Sequence, residues 1–205
     1  MSIIESFKTI PTTCISDAMA GLNNLDPSIK PLKEEYKVVG RAFTVKIPVG
    51  DNLMFLKAIK EAKPGDVLVV DAKGDTYRAI AGDFIVGLAQ TLGINGIVVD
   101  GVIRDVVGVK QLNFPVFSKG TTVAASGKAG QGELNVPISC GGTAVHPGDI
   151  IVGDADGVVI IPKEHEQAIL TKAAEKVKFD ELRDQKVSGN RAEVINYLND
   201  FLSKS

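Results

Sequence analysis

Cysteine is scarce in this chain, with two among 205 residues, and the two do not suggest a covalent framework. Cys14 and Cys140 are far apart and neither belongs to a CxxC, so free thiols in a reducing compartment are expected rather than a disulfide or a zinc site. Long apolar runs are also missing: none approaches the roughly 20 residues that a membrane helix requires. Residues 1–8 lack the basic and apolar regions of a signal peptide. These absences lead to the expectation of a cytoplasmic protein with no membrane partner. No charge of one sign dominates, since 23 Lys and Arg face 25 Asp and Glu for a net −2, and the basic residues are scattered. A surface built for phosphate backbones, and so nucleic acid as a direct ligand, is not expected.

What is present is apolar bulk. At 44% hydrophobic, the chain can bury one substantial core, and a single domain over residues 1–205 is the expectation. Residues 1–20 read as two short helices broken at Pro11, with Thr12 or Thr13 able to cap the second. A polar loop with Pro27 and Pro31 follows over residues 22–37, then a strand over 38–45 and a helix over 52–62 capped by Asp51. A turn at Pro64, Gly65 and Asp66 leads to a buried strand over 67–71, and residues 72–81 read as a connection. After a second helix, residues 97–99 form another all-apolar strand, followed beyond Asp105 by a short helix to about Leu112 and a strand over 114–117. Residues 121–125, 134–138 and 150–161 are strand-like runs broken by Gly-rich turns, with Asp154 and Asp156 read as turn formers rather than metal ligands. A long polar helix over 163–187 and a short amphipathic one over 191–202, with Val194, Ile195 and Leu198 on one side, close the chain. Crossover units followed by antiparallel pieces predict a layered α/β domain.

The chain is organised around Gly82, Asp83, Phe84 and Ile85. Asp83 can cap the helix that follows, leaving the free N–H groups of its first turn to bind an anion. That helix should stop at Gly93, and the next strand ends in Asp100, Gly101, Val102, Ile103, Arg104 and Asp105. Ligands in open α/β sheets sit beyond the carboxyl ends of strands, so the helix start and the Arg-Asp pair are placed to face one cavity.

The spacing D-x20-R-D, from Asp83 to Arg104 and Asp105, resembles the metal-dependent 4-hydroxy-4-methyl-2-oxoglutarate aldolases and the related regulators of ribonuclease activity A. The likeness extends over nearly the whole chain, through Ile15, Ser16, Asp17 and Ala18, through the Pro64, Gly65, Asp66 turn with its strand, and through Pro147, Gly148, Asp149 and the stretch from Gly153 to Val159. It implies the swivelling β/β/α fold also seen in phosphohistidine domains, assembled as a homotrimer or homohexamer. It implies a class II aldolase that cleaves 4-hydroxy-4-methyl-2-oxoglutarate or a related 4-hydroxy-2-oxo acid to pyruvate, with oxaloacetate decarboxylation as a side activity. Asp105 is then the ligand of a divalent cation, magnesium first, with manganese or cobalt as alternatives. The amides at Gly82, Asp83, Phe84 and Ile85 hold the carboxylate of a small 2-oxo acid, and Arg104 reaches its ketone oxygen. Asp17, supplied by a neighbouring subunit, and Asp83 are the candidate bases. An acid on the C-terminal helix, one of Glu175, Asp180 and Glu181, is a further candidate near the site.

Other chemistries have less behind them. Lys46 and Lys73 lie near strand ends as Schiff-base candidates, but solvated lysines are common. His146 and His165 lack the partners of a triad. No Gly-rich nucleotide loop follows a first strand, which argues against a methyltransferase. The alternative of a different class is a non-catalytic regulator that binds a ribonuclease or an RNA helicase. Arg104 beside Asp105 also has a bland reading as a structural ion pair, although neighbours on a turn usually point apart.

Overall fold

The computed structural model describes residues 2–203. In chain order these form α1 (Ile3–Phe7), α2 (Thr12–Ala18), β1 (Lys30–Pro31), β2 (Val38–Lys46), α3 (Leu53–Glu61), β3 (Asp66–Ala79), α4 (Asp83–Thr91), β4 (Gly96–Val102), α5 (Val106–Gln111) and β5 (Val116–Ser118). They continue with β6 (Ala124–Ala125), β7 (Glu133–Leu134), β8 (Ile138–Cys140), β9 (Thr143–Val145), β10 (Ile150–Asp154), β11 (Gly157–Ile161), α6 (Glu166–Val187) and α7 (Arg191–Leu202).

One sheet runs in the order β1-β5-β4-β3-β2-β10-β11, with β6 on β3 and β7 on β2, and β8 and β9 form a separate hairpin. Strands β2, β3, β4 and β5 pair in parallel, while β10 joins β2 and β11 antiparallel. The central strands are apolar at consecutive positions because both faces are covered. Leu68, Val70, Ile97 and Val99 pack under α3, α4 and α5. Their alternates Val67, Val69 and Val98 pack against Phe117, Ile29 and the β8–β9 hairpin. A third apolar cluster joins Phe7 and Ile15 of α1 and α2 to Val152 of β10 and to Ile169 of α6. This is the layered α/β architecture that the alternation of elements implied.

Three local expectations change. Residues 72–81 are not a free connection: β3 continues to Ala79, paired with β4 through register shifts at Asp71/Asp75 and Asp75/Ala79. Lys73 and Gly74, both with positive φ (60° and 68°), make the kink that lets the strand rejoin its partner. Neither Thr12 nor Thr13 caps α2 with its own side chain, because the cap position is Pro11. The carboxylate of Asp154, from the β10–β11 turn, caps it instead, accepting from the Thr12 amide at 2.9 Å and the Thr12 hydroxyl at 2.6 Å. Asp154 also accepts from the Asp156 amide at 3.1 Å, as a turn former should. Finally, the cap position of α3 is Asn52 rather than Asp51, whose carboxylate accepts from the Leu53 amide, while α7 forms as expected with none of its residues buried.

Candidate functional site

The site begins at the start of α4. Gly82, extended at φ −121° and ψ −174°, occupies the cap position, and its carbonyl accepts from the Val86 amide at 3.0 Å. Asp83 therefore lies one residue inside the helix and does not cap it in the expected way. Its Oδ1 accepts from the Phe84 amide at 2.7 Å, taking one of the donors that a first turn leaves unpaired. The remaining first-turn amides and the positive end of the helix dipole still favour a carboxylate ligand.

The end of β4 is tied to this helix start. The Arg104 amide donates to the Ala81 carbonyl at 2.9 Å, which sets Arg104 and Asp105 beside Gly82. Asp105 then opens α5 in the left-handed region, at φ 55° and ψ 41°, a conformation rare for residues other than Gly, Asn and Asp. Two glycines let the helix starts meet. A Cβ on Gly82 would fall on the Asp105 carboxylate, and one on Gly108 of α5 would fall 2.8 Å from Cβ of Asp83. A side chain at Gly108 would collide with Asp83, and one at Gly82 would push the Asp105 carboxylate aside. Arg104 and Asp105 do touch each other, contrary to the expectation that they point apart: Nε lies 3.3 Å from Oδ2, with both side chains more than two-fifths exposed. The contact is single and solvated, so it leaves the guanidinium fork and one carboxylate oxygen for other partners.

Gly82, Asp83, Phe84, Ile85, Arg104 and Asp105 line one cleft of about 300 Å³. Sequence reasoning missed three polar residues that share it, Asn52, Ser126 and Lys128. Asn52 is 5% exposed, donates through Nδ2 to the Ile80 carbonyl at 2.9 Å, and has an Oδ1 without a partner. Ser126 donates to the Ala79 carbonyl at 2.8 Å. Lys128 is the second cation of the cleft. It lies in a glycine-rich stretch, and no local signal marks it, because its placement is decided by contacts with residues far away in the chain.

The structure does not bring Asp17 into this cleft. It lines a larger cavity of about 390 Å³ with Ser16 and Asp156, where its carboxylate is 3.5 Å from Nζ of Lys176. Of the three acids on α6, Asp180 is engaged by Lys176 and Arg183, each at 2.8 Å, and none of Glu175, Asp180 and Glu181 lines the cleft. Lys46 pairs with Glu133 at 2.8 Å and Lys73 with Asp71 at 2.6 Å, so neither is a free amine at the site. His146 stands 3.6 Å from Asp149, and His165 precedes α6 without a side-chain cap; both are outside the cleft. Cys140 is wholly buried, and burial, with Asp100 and Asp71 nearby, raises its thiol beyond any useful ionisation.

Among the described residues no three of His, Cys, Asp and Glu cluster as a metal cage. The cleft instead offers the carboxylates of Asp83 and Asp105, the latter 44% exposed. That donor set suits a hard divalent ion held by one or two carboxylates and completed by water and substrate oxygens.

Comparison with known proteins places this cleft in a family. A family model described as RraA-like, Aldolase/RraA, matches residues 12–160. The chain belongs to that family. A protein of Halalkalibacterium halodurans, named provisionally as a 4-hydroxy-4-methyl-2-oxoglutarate aldolase, is 57% identical over 205 residues, covering 100% of this chain and 98% of its own. Among solved structures, an uncharacterised protein from Pseudomonas syringae superposes with a TM-score of 0.83 at 27% identity, over 96% of this chain and 93% of its own. The RNA-processing inhibitor RraA from Thermus thermophilis gives 0.69 at 30% identity, over 74% of this chain and 92% of its own. The fold is therefore that of the RraA-like proteins. The match to the family model ends before α6 and α7, whereas the Halalkalibacterium relative aligns through both.

Proposed function

We propose that this RraA-like protein is a divalent-metal-dependent aldolase that cleaves 4-hydroxy-4-methyl-2-oxoglutarate, or a related 4-hydroxy-2-oxo acid, to pyruvate, and that the same site decarboxylates oxaloacetate. The observation that carries this reading is the convergence of the α4 amides, Arg104 and Asp105 on one cleft. The 57% identity to a relative with the aldolase name, along the whole chain, supports it.

Each residue has a task that its position suits. The first-turn amides of α4 hold the carboxylate of the 2-oxo acid, and the Arg104 guanidinium donates to the neighbouring ketone oxygen. A base, Asp83 or a neighbour's Asp17, takes the proton of the 4-hydroxyl as the C3–C4 bond breaks. The electron pair of that bond moves into the pyruvyl half, and negative charge grows on the oxygen that Arg104 faces. An acid, again Asp83 among the candidates, returns a proton to C3 to give pyruvate. Decarboxylation of oxaloacetate breaks C3–C4 with loss of carbon dioxide and leaves the same enolate. Asp105 would hold magnesium, or alternatively manganese or cobalt, and such an ion supplies a Lewis acid for that oxygen. Asp17 lies outside its own subunit's cleft, so its part requires an assembly, a homotrimer or homohexamer, in which one subunit's α2 approaches another's cleft. Among the described residues no helix is long and apolar enough to cross a membrane, and a cytoplasmic location completes the proposal.

The decisive experiment is a lactate-dehydrogenase-coupled assay of pyruvate release from 4-hydroxy-4-methyl-2-oxoglutarate and from oxaloacetate, with chelator and with added magnesium. Turnover should vanish on chelation and return with the ion. Asp105→Asn, which tolerates the left-handed backbone, should stay folded and inactive. Full activity in the chelated protein would overturn the metal assignment. A second reading is favoured by the RraA structure named as an RNA-processing inhibitor: a non-catalytic regulator of a ribonuclease or helicase. Absence of turnover on both substrates, with binding to such a partner, would select it.

A further inference from the structure

Asp51 lies outside the cleft yet is wired to it. The residue is 4% exposed, and its carboxylate is met by backbone amides from the adjacent start of α3 and from one distant segment. Oδ1 accepts from the Leu53 amide at 2.9 Å, satisfying one of the donors that the first turn of α3 leaves unpaired. Oδ2 accepts from the amides of Ala129 and Gly130, the latter at 3.2 Å. The flanking backbone repeats the connection, with the Gly127 amide donating to the Gly50 carbonyl at 2.7 Å and the Asn52 amide to the Gly127 carbonyl at 3.1 Å. Tying down the first turn of α3 would need only one of these bonds. The others reach across more than 70 residues of sequence to the stretch that carries Lys128.

That stretch is poor at holding itself. Gly120, Gly127, Gly130 and Gly132 lie within residues 119–132, and glycine-rich backbone loses more entropy than any other on being fixed. Two side-chain anchors bracket Lys128. Before it, Ser126 is fastened to the Ala79 carbonyl, two residues from Ala81 in the cleft wall. After it, Ala129 and Gly130 are fastened to Asp51. Asn52, the next residue, ties the same helix start to the Ile80 carbonyl. The start of α3, the cleft wall and the Lys128 stretch thus form one hydrogen-bonded unit with the Asp51 carboxylate at its centre.

We propose that Asp51 is a positioning residue of the site, whose buried carboxylate holds Lys128 at the cleft by fixing the two amides that follow it. Hydrogen bonds to a charged acceptor are stronger than neutral ones, so an ionised carboxylate suits this task better than an amide. The functional side of this inference rests on the cleft being the 2-oxo acid site. Lys128 is there the cation that draws in a dianionic substrate and is not part of the bond-breaking step.

The test uses Asp51→Ser, Lys128→Met and the double variant. Serine keeps an oxygen for the Leu53 amide but is too short to reach Ala129 and Gly130, so the first turn of α3 keeps that bond and the latch is lost. Amide hydrogen exchange at residues 128–130 should quicken roughly tenfold to a hundredfold in Asp51→Ser, as for loss of hydrogen bonds to a charged group, with β4 and α4 unchanged. With oxaloacetate, KM should rise by about tenfold in both Asp51→Ser and Lys128→Met while kcat changes little, the pattern of lost uniform binding. The double variant should be no worse than Lys128→Met alone, because Asp51 acts through Lys128. Unchanged exchange at 128–130, or additive effects of the two substitutions, would overturn the proposal. Should Asp51→Ser fail to fold, Asp51→Asn answers the same exchange question. Wild-type protein with no oxaloacetate turnover would sink the aldolase reading alone, and the exchange result would then decide the latch.

Discussion

Replacing Arg104 by lysine keeps one positive charge and removes the planar fork of donors. Its only ionic partner among the described residues is Asp105, at 3.3 Å through Nε, in a contact where the two side chains are 42% and 44% exposed. An exposed pair of that kind is worth at most about 1 kcal/mol, so a purely structural Arg104 predicts little loss of stability and unchanged catalysis. As the donor to a developing enolate oxygen it predicts something different. Loss of one preorganised donor of that kind costs about 2.7–4 kcal/mol of barrier, or roughly a hundredfold to a thousandfold in turnover. The coupled pyruvate assay on both substrates, with thermal melting as the control, separates the two. Turnover should fall on aldol cleavage and on oxaloacetate decarboxylation together, since both pass through the enolate, while the melting temperature stays near wild type. Loss of one activity alone would mean that Arg104 reads the distal group of the substrate, and the assignment would be wrong.

Two further outcomes follow from the contacts of α2. Asp17→Asn should cost little stability, because its contact with Lys176 at 3.5 Å is 59% exposed on the Asp17 side, but should lower turnover by about a hundredfold or more if it serves as the base; a fully active monomer in sedimentation would refute its donation across an interface. Asp154 is partly buried, which raises its carboxyl, but the hydrogen bonds from Thr12 and the nearby Lys37 outweigh this and hold it below its ordinary value. A group with a depressed folded pKa contributes stability above its unfolded pKa and loses it as pH falls through the folded one. The tie between α2 and the β10–β11 turn should therefore weaken below about pH 4, and Asp154→Asn should flatten the decline of melting temperature there; equal slopes for the two proteins would contradict this.

How far the sequence reveals this depends on the range of the interactions involved. The all-apolar strands around Val69 and Val98, and the helix stop at Gly93, are legible because burial on two faces and a left-handed glycine leave local marks. The D-x20-R-D spacing and the residues around it point to six residues of the cleft, since a helix and a strand of ordinary length bring the two ends together. What stays hidden is long-range. Residues 72–79 look like a loop because Lys73 and Gly74 break the alternation, yet β4 offers partners beyond the kink. Asp51 looks like a helix cap and lies one residue before the cap position, bonded to the first amide of α3, but nothing nearby shows that its second oxygen reaches residue 129. Lys128 is invisible for the same reason.

The charges of the cleft bear on the proposed cation as a matter of balance. Arg104 and Lys128 contribute two positive side chains, Asp83 and Asp105 two negative ones, and these cancel. A substrate such as oxaloacetate brings two more carboxylates, and the α4 dipole offsets only about half a charge. Cleavage then adds enolate character to a site already short of positive charge. A divalent ion held by Asp105, as proposed, would supply two positive charges to this site. Without such an ion, the Asp105 carboxylate would repel both the substrate and the enolate of the proposed reaction. On the proposed reading, the left-handed backbone of Asp105 is what aims that carboxylate into the cleft.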